Sequence, residues 1–257
     1  NGTNGAISLT HNGALTLNGN IQSGTTFTES TTSNTTITIG TGVGVGISVI
    51  VGSGDFAIDS DVSLLTLNKD FSITTVAAGS DVLLRSAIDS ATGKALTISS
   101  TGDVIFSNAV GQGGRLGAIA LTANSLSLVA TGKNITAASI TTGSSTAVAG
   151  PISLTGTLDL NAVGGLVLKT SASGTIALGT VTTTNGGPVT IQNDGDLTLN
   201  GNITANGSIQ QTSTNGTPPD VFFGVSSNSG TLAITSNAAT GLISFASPII
   251  LKQSASL

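Results

Sequence analysis

A run of nine residues occurs twice in this chain, and it suggests the scale of the fold. Residues 13–21 read GALTLNGNI and residues 195–203 read GDLTLNGNI, so only Ala14 and Asp196 differ. The spacing between the copies equals eight steps of about 23 residues, a length within the range of solenoid repeats. They are either a duplicated functional site or the most visible part of a repeat that runs through the chain.

Short apolar-x-apolar segments bounded by Gly, Asn, Asp or Ser recur along the whole sequence. A first register, with a mean step of about 23 residues, contains Leu15, Ile37, Phe56, Val82, Val104, Leu126, Ile152, Ile176, Leu197, Val221 and Ile243. A second, interleaved register contains Ile47, Phe71, Leu96, Ile119, Ile140, Leu166, Val189, Ile209 and Leu232. A period of about 20 to 30 residues built from short strands is typical of a solenoid.

The residue types favour strands and turns over helices. Thr, Val, Ile and Gly dominate, and Glu29 is the single glutamate. We therefore predict an all-β fold with almost no helix: a single-stranded parallel β-helix, or β-solenoid, of about eleven coils of 22–23 residues.

The nonapeptide predicts how one coil is built. Alternate side chains of a strand face opposite sides, so Leu15 and Leu17 should point inward and Thr16 outward. Asn18 and Gly19 suit the corner because they tolerate positive φ. The two copies are then expected eight coils apart, as strand–corner–strand units without chemistry of their own.

One continuous solenoid is expected over residues 1–257, with three polar segments that interrupt the period. Loop insertions are predicted near 25–36, 141–150 and 212–220, the last containing Pro218 and Pro219. The sequence starts at Asn1 and has no signal peptide, so we expect a fragment or processed piece of a longer chain.

The charges exclude some classes of protein. The net charge is −5 and the seven Lys and Arg residues are scattered singly, which disfavours a nucleic-acid partner. The chain has no Cys, and no apolar run is long enough for a transmembrane helix. We expect no cofactor.

Several segments resemble a known family of exoproteins. Strings such as GDLTLNGNI, TGTLDLNAVGGLVL and NDGDLTLNGNITANGSI are similar to the repeats of filamentous-haemagglutinin-like adhesins and of autotransporter passenger domains. The resemblance implies a right-handed parallel β-helix at a Gram-negative cell surface. It also implies roles in attachment, aggregation or biofilm.

Candidate chemical sites are few. Asp55, Asp59 and Asp61 share parity and could bind a cation such as Ca²⁺, although solvated edge residues are the simpler interpretation. His11 precedes a turn signal and is expected at a turn or surface. Arg115, within GQGGRLG, is expected in a turn between coils because no GK[ST] ending follows.

Phe222 and Phe223 are adjacent, so one of them should point outward from a strand and could form an interface.

The leading functional hypothesis is a non-enzymatic, extracellular stalk or fibre of a bacterial surface adhesin. It would stack on neighbouring copies or bind host or matrix glycans and proteins. The alternative is a polysaccharide lyase or hydrolase on the same scaffold, which would need carboxylates from neighbouring coils in one groove.

Overall fold

The chain winds into a parallel β-helix with three faces, which confirms the predicted fold class. A computed structural model describes residues 5–42, 44–60, 63–121, 128–143, 147–171, 173–214, 218–225 and 230–257. All thirty elements in these residues are strands, and each pairs in parallel with the equivalent strand of at least one adjacent coil. We name the faces A, B and C in the order in which each coil passes through them.

Face A is an eleven-stranded sheet that begins every coil. Its strands are β1 (Ile7–Thr10), β4 (Phe27–Ser30), β7 (Phe56–Ile58), β10 (Val82–Leu84), β13 (Val104–Phe106), β15 (Leu128–Val129), β17 (Ile152–Leu154), β20 (Ile176–Leu178), β23 (Leu197–Leu199), β26 (Val221–Phe223) and β29 (Ile249–Leu251). Ten register steps separate Ile7 from Ile249, so the mean coil length is about 24 residues, again within the range of solenoid repeats. The solenoid thus has about ten turns, each slightly longer than predicted.

Face B begins as a four-stranded sheet and continues after a gap of one strand. Its strands are β2 (Leu15–Leu17), β5 (Thr36–Ile39), β8 (Leu64–Leu67), β11 (Ala87–Asp89), the first part of β16 (Ile135–Thr142), β18 (Leu158–Leu160), β21 (Val181–Thr183), β24 (Ile203–Ala205), β27 (Thr231–Ser236) and β30 (Ser254–Ser256). Val110 fills the gap with isolated bridges to Ile88 and Ile135.

Face C carries most of the longer strands. They are β3 (Ile21–Ser23), β6 (Ile47–Val51), β9 (Phe71–Thr75), β12 (Leu96–Ser99), β14 (Leu116–Leu121), the second part of β16, β19 (Leu166–Lys169), β22 (Val189–Gln192), β25 (Ile209–Thr212) and β28 (Ile243–Phe245). β16 runs through the corner, so its first residues pair with β18 and its later residues pair with β19.

The core lies inside the three faces and is filled by the inward half of each strand. Most three-residue strands of the inner coils follow the pattern buried, half-buried, buried, as in β7, β10 and β20. The rings of Phe27 and Phe56 stack with centroids 5.1 Å apart, and Phe71 meets Phe56 edge-on. Alternation of this kind buries apolar side chains along the whole axis. The outward positions of face A nevertheless include the apolar residues Leu83, Ile105 and Phe222.

The second predicted register is largely correct. Its anchors from Ile47 to Ile209 lie in one column on face C, but the column continues to Ile243, and Leu232 lies in β27 instead. The first register is wrong at both ends. Leu15 and Ile37 pair on face B and Ile243 lies on face C, whereas Phe56 to Val221 follow face A. Leu126 is outside the described residues, and Leu128 occupies its expected place in the column.

The predicted loop near 25–36 is wrong in its centre. β4 lies inside this segment and pairs on both sides, with β1 and β7. Near 141–150, β16 extends to Thr142 and Val148 forms a bridge to Thr170, while residues 144–146 lie outside the described part. Near 212–220, β25 ends at Thr212 and residues 218–220 carry no strand, while residues 215–217 are not described.

The two nonapeptide copies do not occupy equivalent places. The first runs from β2 on face B to β3 on face C, and the second from β23 on face A to β24 on face B. They lie in coils 1 and 9, eight coils apart as predicted, but they occupy different faces and so do not stack on one another. They nevertheless share a local structure, because Asn20 Oδ1 accepts the N–H of Ser48 and Asn202 Oδ1 accepts the N–H of Ala233, each in the next coil.

Candidate functional site

The single histidine and the single glutamate of the chain contact each other between the first two coils. His11 follows β1, and Glu29 is the third residue of the adjacent β4. His11 Nε2 lies 2.7 Å from Glu29 Oε1, and His11 Nδ1 contacts the carbonyl oxygen of Gly13. The Glu29 side chain is fully buried, whereas that of His11 is 15% exposed.

Glu29 occupies a position that belongs to the apolar core. In the register of face A it lies between Leu9 and Ile58, in a column that continues through Leu84 and Phe106. Its second oxygen, Oε2, is buried and has no hydrogen-bond partner among the described residues. Burial raises the pKa of the Glu29 carboxyl above its usual range, the His11 hydrogen bond and charge oppose that rise, and Asp59 adds to it.

Small hydroxyl side chains surround this corner of the interior. Ser60, Ser63 and Ser86 are buried where coils 3 and 4 turn from face A to face B. The hydroxyls of Ser63 and Ser86 lie 2.6 Å apart, and Ser86 Oγ donates to the carbonyl oxygen of Ser60 at 2.5 Å. Ser60 Oγ itself has no partner within the described residues. The corner is therefore a small polar compartment beside an otherwise aliphatic core.

Sequence reasoning missed this pair, although a signal was present. In the segment FTES, Phe27 and Glu29 have the same parity, so a strand that buries Phe27 must also bury Glu29. The segment was interpreted as a loop, and His11 as a turn or surface residue. The contact itself depends on the register between two coils, which no local pattern contains.

The acidic residues proposed as cation ligands have other partners. Asp55 and Asp59 flank the outward Ala57 as their parity predicts, and both are exposed. Asp55 Oδ1 accepts the N–H of Asp81 at 2.8 Å, and Asp59 forms an ion pair with Arg85 at 2.8 Å. Asp61 lies outside the described residues, so the three-carboxylate site stays a prediction. Within the described part of the chain, no three His, Cys, Asp or Glu side chains are grouped to hold a metal ion.

The hydrogen bond that Asp55 accepts is one of a series formed by corner aspartates along face A. Asp81 Oδ1 accepts the N–H of Asp103 at 2.7 Å, and Asp196 Oδ1 accepts the N–H of Asp220 at 3.2 Å. In each case the residue before a strand of face A binds the backbone of the following coil. Such bonds satisfy backbone donors at corners, where sheet pairing stops.

Arg115 ties three coils together at the corner between faces B and C. Its guanidinium donates to the carbonyl oxygens of Ala137 and Asp159 and forms a 2.7 Å ion pair with the Asp159 carboxylate. It lines a groove of about 360 Å³, which shares Thr92 with a second groove of similar volume. Arg115 thus lies outside the strands, as predicted, but at a corner within one coil instead of a turn between coils, and its charge is already paired.

Phe222 and Phe223 point to opposite sides of β26, as predicted. Phe223 is buried, and its ring meets that of Phe245 edge-on with centroids 5.2 Å apart. Phe222 faces outward, and Lys252 Nζ lies 5.2 Å from its ring centroid. Thr198, Gly224 and Val225 complete an open depression of about 250 Å³. The interface role of this pair stays a prediction.

Comparison with known proteins identifies no relative. No family model, no curated protein and no solved structure matches the chain. In the described residues, the structure contains no helix with the length and apolar character of a membrane span.

Proposed function

We propose that this chain is a non-enzymatic structural and adhesive β-solenoid, part of the stalk or fibre of a surface adhesin in a Gram-negative bacterium. The resemblance of its repeats to filamentous-haemagglutinin-like exoproteins supports this family and this location. The observation that carries the proposal is the continuous parallel pairing of face A from β1 to β29.

Continuous pairing suits a rigid spacer. Adjacent strands lie about 4.8 Å apart, so ten steps give a rod about 48 Å long. Each coil is held to the next by backbone ladders on its faces and by Asp and Asn side chains at its corners. A load along the axis is thus distributed over many parallel bonds, as an extended stalk requires.

The outer surface of face B supports a role in attachment. Its central outward column consists mostly of threonine: Thr16, Thr38, Thr66, Thr136, Thr182, Thr204 and Thr235, with Asp89 and Asp159 at two of the other positions. Regular hydroxyl and methyl groups offer many weak and equivalent contacts. Repeated contacts of this kind bind polymers such as matrix glycans by multivalency rather than through one deep pocket.

Self-association is the second part of the proposal. In the described residues β29 pairs only with β26, so its other edge presents free backbone donors and acceptors. Ile249 and Leu251 on this strand are 42% and 61% exposed. Open strand edges with apolar side chains template pairing with another chain. Where this edge is left open, we propose that copies of the solenoid stack end to end on it.

The attachment proposal is tested by displaying the chain on a non-adherent bacterium and measuring retention on immobilised glycans and matrix proteins. The double variant Thr182→Glu/Thr204→Glu places two charges in the face B column. Thr190→Glu/Gln210→Glu is the matched control, because it changes outward residues of the same two coils on face C. We expect the first variant to lose retention and the control to keep it. Equal retention of all three, or turnover of a polysaccharide by the purified chain, would overturn the proposal.

Stacking is tested by sedimentation velocity over a range of concentrations. The wild type should form assemblies larger than one chain, and Leu251→Lys should shift the distribution toward monomer because charge blocks edge pairing. Val163→Lys, at another exposed apolar residue, serves as the control and should assemble like the wild type. A wild type that is monomeric at every concentration refutes the stacking model.

A further inference from the structure

The His11–Glu29 pair has a fixed proton requirement, which follows from its partners. The carbonyl oxygen of Gly13 can only accept a hydrogen bond, so Nδ1 of His11 must carry a proton. The 2.7 Å contact between Nε2 and Glu29 Oε1 then needs one further proton, held by either atom. The intact arrangement therefore contains two protons, one on Nδ1 and one in the bridge.

If the bridging proton is lost, no rearrangement within the His11–Glu29 pair satisfies all of its polar groups. A deprotonated Nε2 would direct its lone pair at a buried carboxylate whose Oε2 already has no partner within the described residues. If the imidazole proton moved to Nε2 instead, Nδ1 would face the Gly13 carbonyl without a hydrogen bond. Either outcome leaves unsatisfied polar groups in a core column, which costs about 1–3 kcal/mol per group.

Gain of a proton is tolerated much better. A protonated Glu29 is neutral and suits the apolar column of Leu9 and Ile58. The imidazolium of His11 keeps its bond to Gly13 and retains some contact with solvent, since its side chain is 15% exposed. The pair is consequently asymmetric: acid leaves it closed and alkali opens it.

The first coil, formed by β1, β2 and β3, is the element that such a change would release. Its apolar residues Ile7, Leu9, Leu15 and Ile21 are only partly buried, whereas equivalent residues of the inner coils are buried. Segments with little buried apolar surface open locally at low free-energy cost. Because so little apolar burial holds this coil, unsatisfied polar groups at the His11–Glu29 contact are enough to open it.

We propose that one proton shared between His11 and Glu29 closes the first coil onto the second, and that its loss at alkaline pH releases this coil while the rest of the solenoid stays folded. This device is independent of the proposed function. It would expose the edge of β4 and the face of Phe27 in a pH-dependent manner.

The charged residues near Glu29 also favour opening of the first coil at high pH. Among the described residues, His11 directly follows β1 and Asp59 directly follows β7, and Asp59 is paired with Arg85 in the next coil. Burial and Asp59 both raise the pKa of Glu29. A carboxyl whose pKa is raised in the folded state contributes stability that is present at low pH and is lost as pH rises through the folded value. The raised pKa of Glu29 and the geometry of the pair therefore both predict opening at high pH.

The difference in bound protons between the closed and released states predicts how steeply the opening equilibrium of the first coil changes with pH. At alkaline pH the released pair holds one proton, on a neutral imidazole, whereas the closed pair holds two. A difference of one proton changes the opening equilibrium about tenfold per pH unit.

Amide hydrogen exchange of the full chain from pH 5 to 9, corrected for intrinsic rates, tests this. The opening equilibrium of β1 and β2 should rise with pH and approach a roughly tenfold change per unit at alkaline pH, with β9 and β12 unchanged. Glu29→Gln should remove the slope, because its amide donates to Nε2 without a solvent proton. Asp70→Asn is the matched control and should keep it, since Asp70 only accepts the N–H of Ala95 at a corner.

Nitrogen NMR of the imidazole keeps the test decisive even if Glu29→Gln folds poorly. As the single histidine of the chain, His11 gives one unambiguous signal set. We expect a protonated Nδ1 and a hydrogen-bonded Nε2 at low pH, and a solvated imidazole at high pH. A neutral imidazole with a free Nε2 at all pH values, a pH-independent first coil, or an unchanged slope in Glu29→Gln would overturn the proposal.

Discussion

Replacing Glu29 with leucine should stabilise the first coils. The column around this position contains Leu9, Ile58, Leu84 and Phe106, so a leucine matches its neighbours in shape and polarity. Full burial of a leucine side chain contributes about 1.5–3 kcal/mol. Removing a buried carboxyl with an unpartnered oxygen relieves a further penalty of about 1–3 kcal/mol.

The interactions lost in Glu29→Leu contribute less free energy than those gained. His11 gives up its bond to Glu29, worth about 0.5–1.5 kcal/mol as a neutral hydrogen bond and more as a charged one. Its Nε2 can turn to water because the side chain is 15% exposed. Overpacking costs part of the gain as well. We therefore expect Glu29→Leu to raise the free energy of opening of the first coil by about 1–3 kcal/mol, as replacements of buried ion pairs by apolar residues often do.

The assay is hydrogen exchange of β1, β2 and β4 at pH 7, supported by urea denaturation. Glu29→Ala is the matched comparison, since it removes the same carboxyl but leaves a cavity, and it should destabilise. The advantage of leucine over wild type should grow with pH, because the wild-type contribution of Glu29, with its raised pKa, declines as pH rises. A Glu29→Leu variant less stable than wild type by more than about 1 kcal/mol would show that the pair is net stabilising and would refute this reasoning.

Three further pairs of variants test the core packing, the close approach of two coils at a glycine, and the hydrogen bonds of the corner aspartates. Phe223→Ala should cost about 3–5 kcal/mol in urea denaturation because the ring is buried, and Phe222→Ala should cost about 1 kcal/mol or less because only a half-exposed ring and a cation–π contact are lost. Gly111→Ala should lower the melting temperature far more than Gly79→Ala: both glycines have positive φ, but only at Gly111 would a Cβ collide with a carbonyl oxygen of the next coil. Asp81→Ala should cost about 1 kcal/mol and Asp81→Asn almost nothing, since the amide oxygen can still accept the N–H of the next coil. Equal costs within any of these pairs would contradict the structural explanation.

The register on face C could be predicted because its strands are long and regularly spaced. From Ile47 to Ile209 each step falls near the mean coil length, so periodicity alone aligns them. On face A the step from Phe27 to Phe56 is almost half as long again as the step from Ile7 to Phe27, and the predicted register slips there. The variation comes from corner lengths, which polar residues accommodate at little energetic cost.

The candidate site lies where this slip occurs, and that is why the sequence did not reveal it. Contact between His11 and Glu29 requires that β1 and β4 be adjacent, which in turn requires that residues 27–30 be recognised as a strand. A glutamate between two threonine-rich segments resembles a polar loop. Only the pairing of Leu9 with Glu29 shows that this carboxyl takes the place of an aliphatic side chain.

The repeated nonapeptide shows what the sequence of a β-solenoid encodes and what it leaves to the whole structure. The same letters form the corner from face B to face C in one copy and from face A to face B in the other. They fix alternation, a tight corner and an asparagine that binds the next coil through Asn20 or Asn202. All three are local properties that any corner can use. Face and coil number follow instead from the summed lengths of all preceding corners, so identical sequence need not mean equivalent position. Chemistry in such a chain is consequently expected where a local rule is broken, and the buried Glu29 breaks the rule that inward positions of face A are apolar.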